Sequence, residues 1–211
     1  MIVWVGPRRE WMEPAQLVDW PGVLIPGLVN AHAHLEYSAY ADWCVPGVDF
    51  LDWISGFVGR NQAMTPAGWR DAAGSGVAEL LRHGVTCVAD LAGQPESIDV
   101  VSAAGLAGVS YVEAVGADDG RWPALRDRLL TVLSGPAGGR TLGVSPHAVY
   151  TLGTTALREC AEIARGRGLR LHLHVAESPY ETEYVETGRG PFAAANVRYR
   201  LDMDLMRSGG S

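Results

Sequence analysis

The sequence contains no lysine: its 17 basic residues are all arginine, set against 24 acidic residues for a net charge of −7. That balance leaves no basic patch to neutralise a phosphate backbone, so no nucleic acid is expected as a partner. It also contains no Cys-x-x-Cys. Cys44, Cys87 and Cys160 are odd in number and widely spaced, which excludes a disulfide framework and a zinc knuckle. A reduced, cytoplasmic compartment fits that usage. No apolar run nears the ~18 residues needed to span a bilayer, so no membrane partner is expected. Residues 1–11 lack the basic-then-apolar order of a secretory leader. No Gly-x-Gly-x-x-Gly follows the first strand, which removes the dinucleotide fingerprint.

What is present is a 211-residue chain, 47% hydrophobic, long enough for one large domain or two small ones. Residues 2–5 and 17–18 read as short strands, too little for an independent domain. Val23 to Ala33 reads as a buried central strand. Helical spacing follows at 49–59 and at 66–82, the second with Thr65 as N-cap, Pro66 at the first position and Gly84 past the end. His83, in the last turn, reads as structural. Strands at 84–90, 108–115, 141–145 and 169–176 then alternate with helices at 95–104, 122–133, 154–165 (Thr-capped) and 177–186. Near-continuous apolar strands alternating with helices specify an α/β fold with a parallel sheet. Polar residues gather at the C-terminal strand ends: His32, His34, Asp90, Glu113, His147, His174 and Glu177. In a β/α barrel that rim carries the active site.

Three constellations carry chemistry. His32 and His34 close the central strand at i, i+2, so both imidazoles share a face and form half of a metal site. His172 and His174 repeat the spacing; His174, nearer the strand end, is the better ligand, whereas His172 reads as a hydrogen-bonded core residue. Glu177 lies three residues past His174, placed either to exchange protons with a metal-activated water or to sit at a helix N-terminus. His147, after Ser145-Pro146, reads as a ligand, a substrate hydrogen-bonder or a loop residue.

Taken in order, Pro26–His34, Gly84–Asp90, Ser145–His147 and His174–Glu177 resemble the amidohydrolase superfamily, in its chlorohydrolase and cytosine-deaminase-like branch. Within it, His34–Ser38 with Phe50–Trp53 is most similar to the aminodeoxyfutalosine deaminases of the menaquinone pathway. The similarity covers nearly the whole chain, from about residue 2. It implies a (β/α)8 barrel of TIM type and a metal-dependent hydrolytic deaminase of a small-molecule, purine-like nucleoside such as aminodeoxyfutalosine. Adenosine-, S-adenosylhomocysteine-, guanine- and triazine-type substrates stay open. It further implies that His32, His34 and His174 hold one divalent metal ion, zinc or iron, that Glu177 is the catalytic proton shuttle, and that His147 contacts substrate. Glu36 and Glu113, on the same rim, would face polar substrate groups.

The family barrel has eight strands, whereas five are legible here. Its later-strand histidine and aspartate have no counterpart, so the general-base pair is incomplete. The expectation is therefore a remnant of a small β subdomain over 1–22 and a partial barrel, the first five β/α units, over 23–211. The chain would be a fragment of a longer enzyme whose tail, Arg207–Ser211, is an interrupted loop. A second chain supplying the missing strands is the rival reading, and a homo-oligomer is compatible with a full-length protein. Rival functions are a folded remnant without catalysis and an isomerase or phosphate enzyme on a similar barrel. The His-x-His opening and the His174-to-Glu177 spacing disfavour the last.

Overall fold

Strands and helices alternate much as the apolar runs predict. The computed structural model describes residues 3–43 and 45–200; Cys44, Ile2 and the Arg207–Ser211 tail of the sequence reading lie outside the described residues. Strand β1 (Leu28–Ala33) runs into a 3-10 segment, Leu35–Tyr40. Helix α1 (Phe50–Ala63) is capped by Asp49, whose carboxylate accepts from the Leu51 and Asp52 amides at 2.9 and 3.4 Å. Helix α2 (Pro66–Arg82) starts as its sequence dictates: the Thr65 hydroxyl accepts from Gly68 N at 3.1 Å, and Pro66 occupies the first turn. It stops at Gly84, whose φ of +78° few side chains tolerate. His83 Nδ1 donates to Glu79 O at 2.9 Å, a structural role on an exposed helix end.

Strand β2 (Val85–Ala92), α3 (Pro95–Ala103), β3 (Ala107–Glu113), α4 (Trp122–Ser134), β4 (Thr141–Ser145) and α5 (Thr154–Gly166) follow. Then come β5 (Arg170–Leu171), α6 (Pro179–Thr187) and α7 (Pro191–Arg198). The five strands are all parallel and lie in sequence order. Sequential parallel neighbours wind a barrel, whereas a doubly wound sheet reverses its order partway. The sheet is accordingly a curled half-barrel with helices, a partial (β/α) TIM barrel.

Both faces of β2–β4 are buried. Towards the helices, Val112 and Val144 pack with Trp122, Leu129, Leu152 and Cys160, and Val88 packs with Leu35, Val77, Val101 and Leu106. On the other face Leu91, Val109 and Tyr111 form an interior layer. The buried Arg140 braces the base of the sheet, donating to Leu106 O (2.7 Å), Val88 O (2.9 Å) and Ser110 Oγ (2.6 Å). Among the described residues no helix is long and apolar enough to cross a membrane.

The sheet corrects the sequence reading at its margins. The expected central strand begins at Leu28, and Val23, Leu24 and Ile25 are 88, 90 and 63% exposed. β1 bonds only to β2 among the described residues, so nothing covers the run that enters it. Residues 1–22, expected as a small β subdomain, hold no strand among the described residues; they are irregular apart from a 3-10 turn at Arg8–Glu10. Among the described residues, the apolar residues at 3–5 and 17–18 find no strand partner for their backbone groups, without which a strand does not persist. β5 is reduced to two residues, although the chain stays beside β4 through His172 N to Val144 O (3.0 Å) and His174 N to His147 O (2.8 Å). Gly153 rather than Thr154 is the N-cap of α5. α6 begins two residues later than read, because Pro179 takes its first position behind the Ser178 cap.

Candidate metal centre

The C-terminal ends of β1 and β5 bring His32, His34 and His174 together, with one ring nitrogen from each within 4.8 Å of the others. The i, i+2 spacing does what strand geometry requires: the His32 and His34 rings lie on one side, centroids 5.3 Å apart. His174 faces them, its Nε2 at 3.1 Å from His34 Nε2. Two ligand nitrogens at ~2.0–2.1 Å from a tetrahedral ion stand about 3.3 Å apart, so this separation suits a shared ion.

The hydrogen bonds fix the tautomers. His174 Nδ1 lies 2.9 Å from His147 O, and a carbonyl only accepts, so Nδ1 carries the proton and Nε2 offers a lone pair. His34 Nδ1 is buried without a hydrogen-bond partner among the described residues and stands 4.0 Å from the Glu113 carboxylate. An ion on His34 Nε2 would place the ring proton on Nδ1, facing that carboxylate. The orphaned nitrogen and the three converging imidazoles therefore fit a divalent ion of the zinc class.

Burial lowers the His34 pKa well below the usual imidazole value, and the neighbouring His174 and His147 add to it. Burial takes His147 down to about 3 and also lowers His32 and His172. Burial thus favours the neutral form of these four rings, the form in which imidazole binds metal. Glu113 is buried beneath the rings; burial pushes its carboxyl up to about 8, with Ser145 Oγ donating to it at 3.3 Å.

The other candidate residues divide. His147 ends β4 with its ring 4.7 Å from that of His174. Its Nδ1 donates to Thr151 Oγ1 at 2.9 Å, since that hydroxyl gives its own proton to Ala148 O. With Glu113 and His174 it forms a second group of donors within 4.8 Å. Glu177 follows Ala176, whose φ of +60° is rare for a residue with a side chain. A pair of bonds like a capping box, shifted by one residue, positions it: Ser178 Oγ accepts from Glu181 N at 3.3 Å, and Glu181 Oε2 accepts from Glu177 N, just before the cap, at 2.7 Å. Its carboxylate accepts from Tyr150 OH at 2.6 Å, and Tyr150 is itself stacked on Phe192 at 4.1 Å.

Two rim residues do not face the site. Asp90 accepts from Leu35 N (3.2 Å) and Ser110 Oγ (3.4 Å), bracing the exit of β1. Glu36, expected against substrate, is 1% exposed and accepts from Gly93 N (3.1 Å), Gln94 N (3.1 Å) and Ser97 Oγ (2.7 Å) at the start of α3. The sequence reading also missed Tyr37, which lies flat on His34 at 5.1 Å, and Tyr150. Tyr37 lies within the His34–Ser38 stretch and Tyr150 three residues past His147, but the sequence marked neither for a role; the fold sets them against His34 and Glu177.

The profile of the amidohydrolase family matches residues 23–193. The chain belongs to the amidohydrolase family. Among curated amidohydrolase relatives, the aminodeoxyfutalosine deaminase of Deinococcus radiodurans is 34% identical over 190 residues, covering 87% of this chain and 44% of that protein. A 5-methylthioadenosine/S-adenosylhomocysteine deaminase of Symbiobacterium thermophilum is 30% identical over 226 residues, covering 98% and 49%. This amidohydrolase chain thus spans about half the length of the curated relatives it matches. Solved structures share the fold. The Helicobacter pylori aminofutalosine deaminase superposes with a TM-score of 0.67 at 20% identity, over 82% of this chain and 43% of that one. An adenosine deaminase of Xanthomonas campestris with bound zinc gives 0.60 at 21%, over 83% and 42%.

Proposed function

We propose that this chain carries the metal centre of a hydrolytic deaminase acting on a purine-like nucleoside, with aminodeoxyfutalosine the leading substrate and zinc the leading ion. The observation that carries the reading is the convergence of His32, His34 and His174, with Glu177 near enough to act electrostatically on His32, in a chain whose curated relatives are nucleoside deaminases. Aminodeoxyfutalosine would place the reaction in menaquinone biosynthesis, and the wide cysteine spacing favours the cytoplasm.

His32, His34 and His174 would hold the ion, which when bound supplies a Lewis acid that makes water a nucleophile near neutral pH. Glu177 takes a proton from the attacking water and returns it to the departing amine, so that ammonia leaves. Tyr150 orients that carboxylate through its hydroxyl. His147, with Nδ1 tied to Thr151, presents Nε2 as an acceptor for substrate. The aromatic layer of Tyr37, Trp53 and Phe57 offers flat apolar surface beside His34, suited to a heteroaromatic base.

Ammonia release by the zinc-loaded protein tests the reading. Faster turnover of aminodeoxyfutalosine than of methylthioadenosine, S-adenosylhomocysteine or adenosine supports it; no release from any of them refutes it. A metal-binding domain without turnover is the second reading. It is favoured by the one-sided pairing of β1 and β5 among the described residues and would show zinc bound with no ammonia. In an active protein, Tyr150→Phe keeps the ring on Phe192 and removes only the donor. The expected outcome is unchanged zinc content and a kcat lowered roughly tenfold, the worth of one hydrogen bond to a charged group; steady-state kinetics with metal analysis checks it.

A further inference from the structure

His172 lies one layer below the three converging histidines. Its Nε2 stands 3.0 Å from His32 Nδ1, with the two rings 5.0 Å apart at 61°. On its other side the ring meets Tyr111 edge-on at 4.9 Å. Tyr111 is admitted there by Gly143, where a Cβ would stand 2.5 Å from the tyrosine ring. The His172 backbone is tied to β4 through Val144 O at 3.0 Å. The imidazole is therefore gripped between two rings and a strand, and among the described residues its polar contact is with His32.

Two ring nitrogens 3.0 Å apart share one proton, so one donates and the other accepts. If His172 donated, a neutral His32 would carry its own proton on Nε2 and have no lone pair for a metal. If His172 accepts, His32 is protonated on Nδ1 and its Nε2 is free on the side where the His174 ring lies 4.8 Å away. Resting on the metal-site reading above, we infer that His172 is a positioning residue that accepts the His32 Nδ1 proton and holds His32 in its metal-binding tautomer. The arrangement parallels the grip of His147 O on His174 Nδ1 at 2.9 Å. One ligand is oriented by a backbone carbonyl and the other by a side chain. Outer partners of this kind contribute about 10–100-fold in metal affinity.

The test is zinc affinity of the intact chain, by competition with a chromophoric chelator, beside the melting temperature of the metal-free protein. His172→Phe keeps a ring against Tyr111 but offers no acceptor. His172→Leu is a second acceptor-free variant should the first not fold. His172→Gln returns an oxygen to the same place. The expected result is zinc binding about 10–100-fold weaker in the Phe or Leu variant with little change in metal-free melting, and near wild-type binding in the Gln variant. Wild-type affinity in the Phe variant overturns the inference, as does a Gln variant as weak as Phe. Cobalt(II) spectra separate positioning from ligation: a d–d band unchanged in the Gln variant supports positioning, whereas a shifted band makes His172 a ligand and overturns it. A wild-type chain that binds no zinc overturns the metal-site reading together with this one, whereas a binding wild type with an unaffected Phe variant overturns only the role of His172.

Discussion

In His174→Ala, zinc retained after dialysis is expected to fall from about one ion per chain to near zero. His174 is the residue common to both groups of donors, His32–His34–His174 and Glu113–His147–His174. It is also the most firmly oriented, since its amide and its Nδ1 both donate to His147 O, at 2.8 and 2.9 Å. Removing it leaves two neighbouring imidazoles from one strand, and the loss should exceed the ~10–100-fold of an outer partner. His147→Ala separates the two groups. The carbonyl that grips His174 belongs to the backbone and survives the substitution, so zinc should stay bound if the ion sits among His32, His34 and His174. Zinc lost from His147→Ala but kept in His32→Ala would place the ion against Glu113. Melting gives an independent reading: at zinc a hundredfold above Kd the wild type gains about 2.7 kcal/mol, and His174→Ala should gain none.

Strands β2, β3 and β4 were legible because their information is local. Each is an apolar run long enough to be buried on both faces, as Val88, Val112 and Val144 are on one side and Leu91 and Tyr111 on the other. β1 and β5 carry the same kind of run. Whether Val23–Ile25 or Val175 is covered depends on a neighbouring strand, which hydropathy does not report; Val175 is 64% exposed. The candidate site divides along the same line. His32, His34 and His174 are marked by i, i+2 spacing at strand ends. His172 has that spacing too, and its greater distance from the strand end is what marks it in the sequence as the deeper residue; its partner, His32, is 140 residues away and is not legible there. The position of Glu36, two residues after His34, suggested the rim, yet its partners lie 57 to 61 residues away. The available clue was negative: α3 begins Gln94-Pro95, with no Ser, Thr, Asp or Asn to cap it, so its amides needed an acceptor from elsewhere.

That missing cap makes Glu36 the residue whose loss should cost most in stability. Glu36→Ala strips the acceptor from Gly93 N, Gln94 N and Ser97 Oγ at once, in a site with 1% exposure. Gly93 is there to admit the carboxylate, since a Cβ on it would stand 2.8 Å from Glu36 Oε1. Buried donors left without partners cost about 1–3 kcal/mol each; Ser97 is buried and the Gly93 and Gln94 amides are half-buried, at the low end, so a total of about 3–5 kcal/mol is expected from urea unfolding. Glu36→Gln keeps one oxygen and should lose less, and pH should tell the two acids apart. Burial, opposed by Ser97 and helped by Asp90, pushes the Glu36 carboxyl from 4.5 up to about 7. A raised carboxyl pKa stabilises the fold fully below about 4.5, and the contribution is lost as pH rises through about 7, up to about 3 kcal/mol by linkage. Asp90, pushed by burial from 3.8 up to about 6, contributes a slope of the same sign in both proteins. The wild type should therefore exceed Glu36→Gln most at pH 4 to 5, with the gap narrowing towards pH 8. A gap that widens with pH would mean that the three donors outweigh burial and that Glu36 caps α3 as an anion throughout.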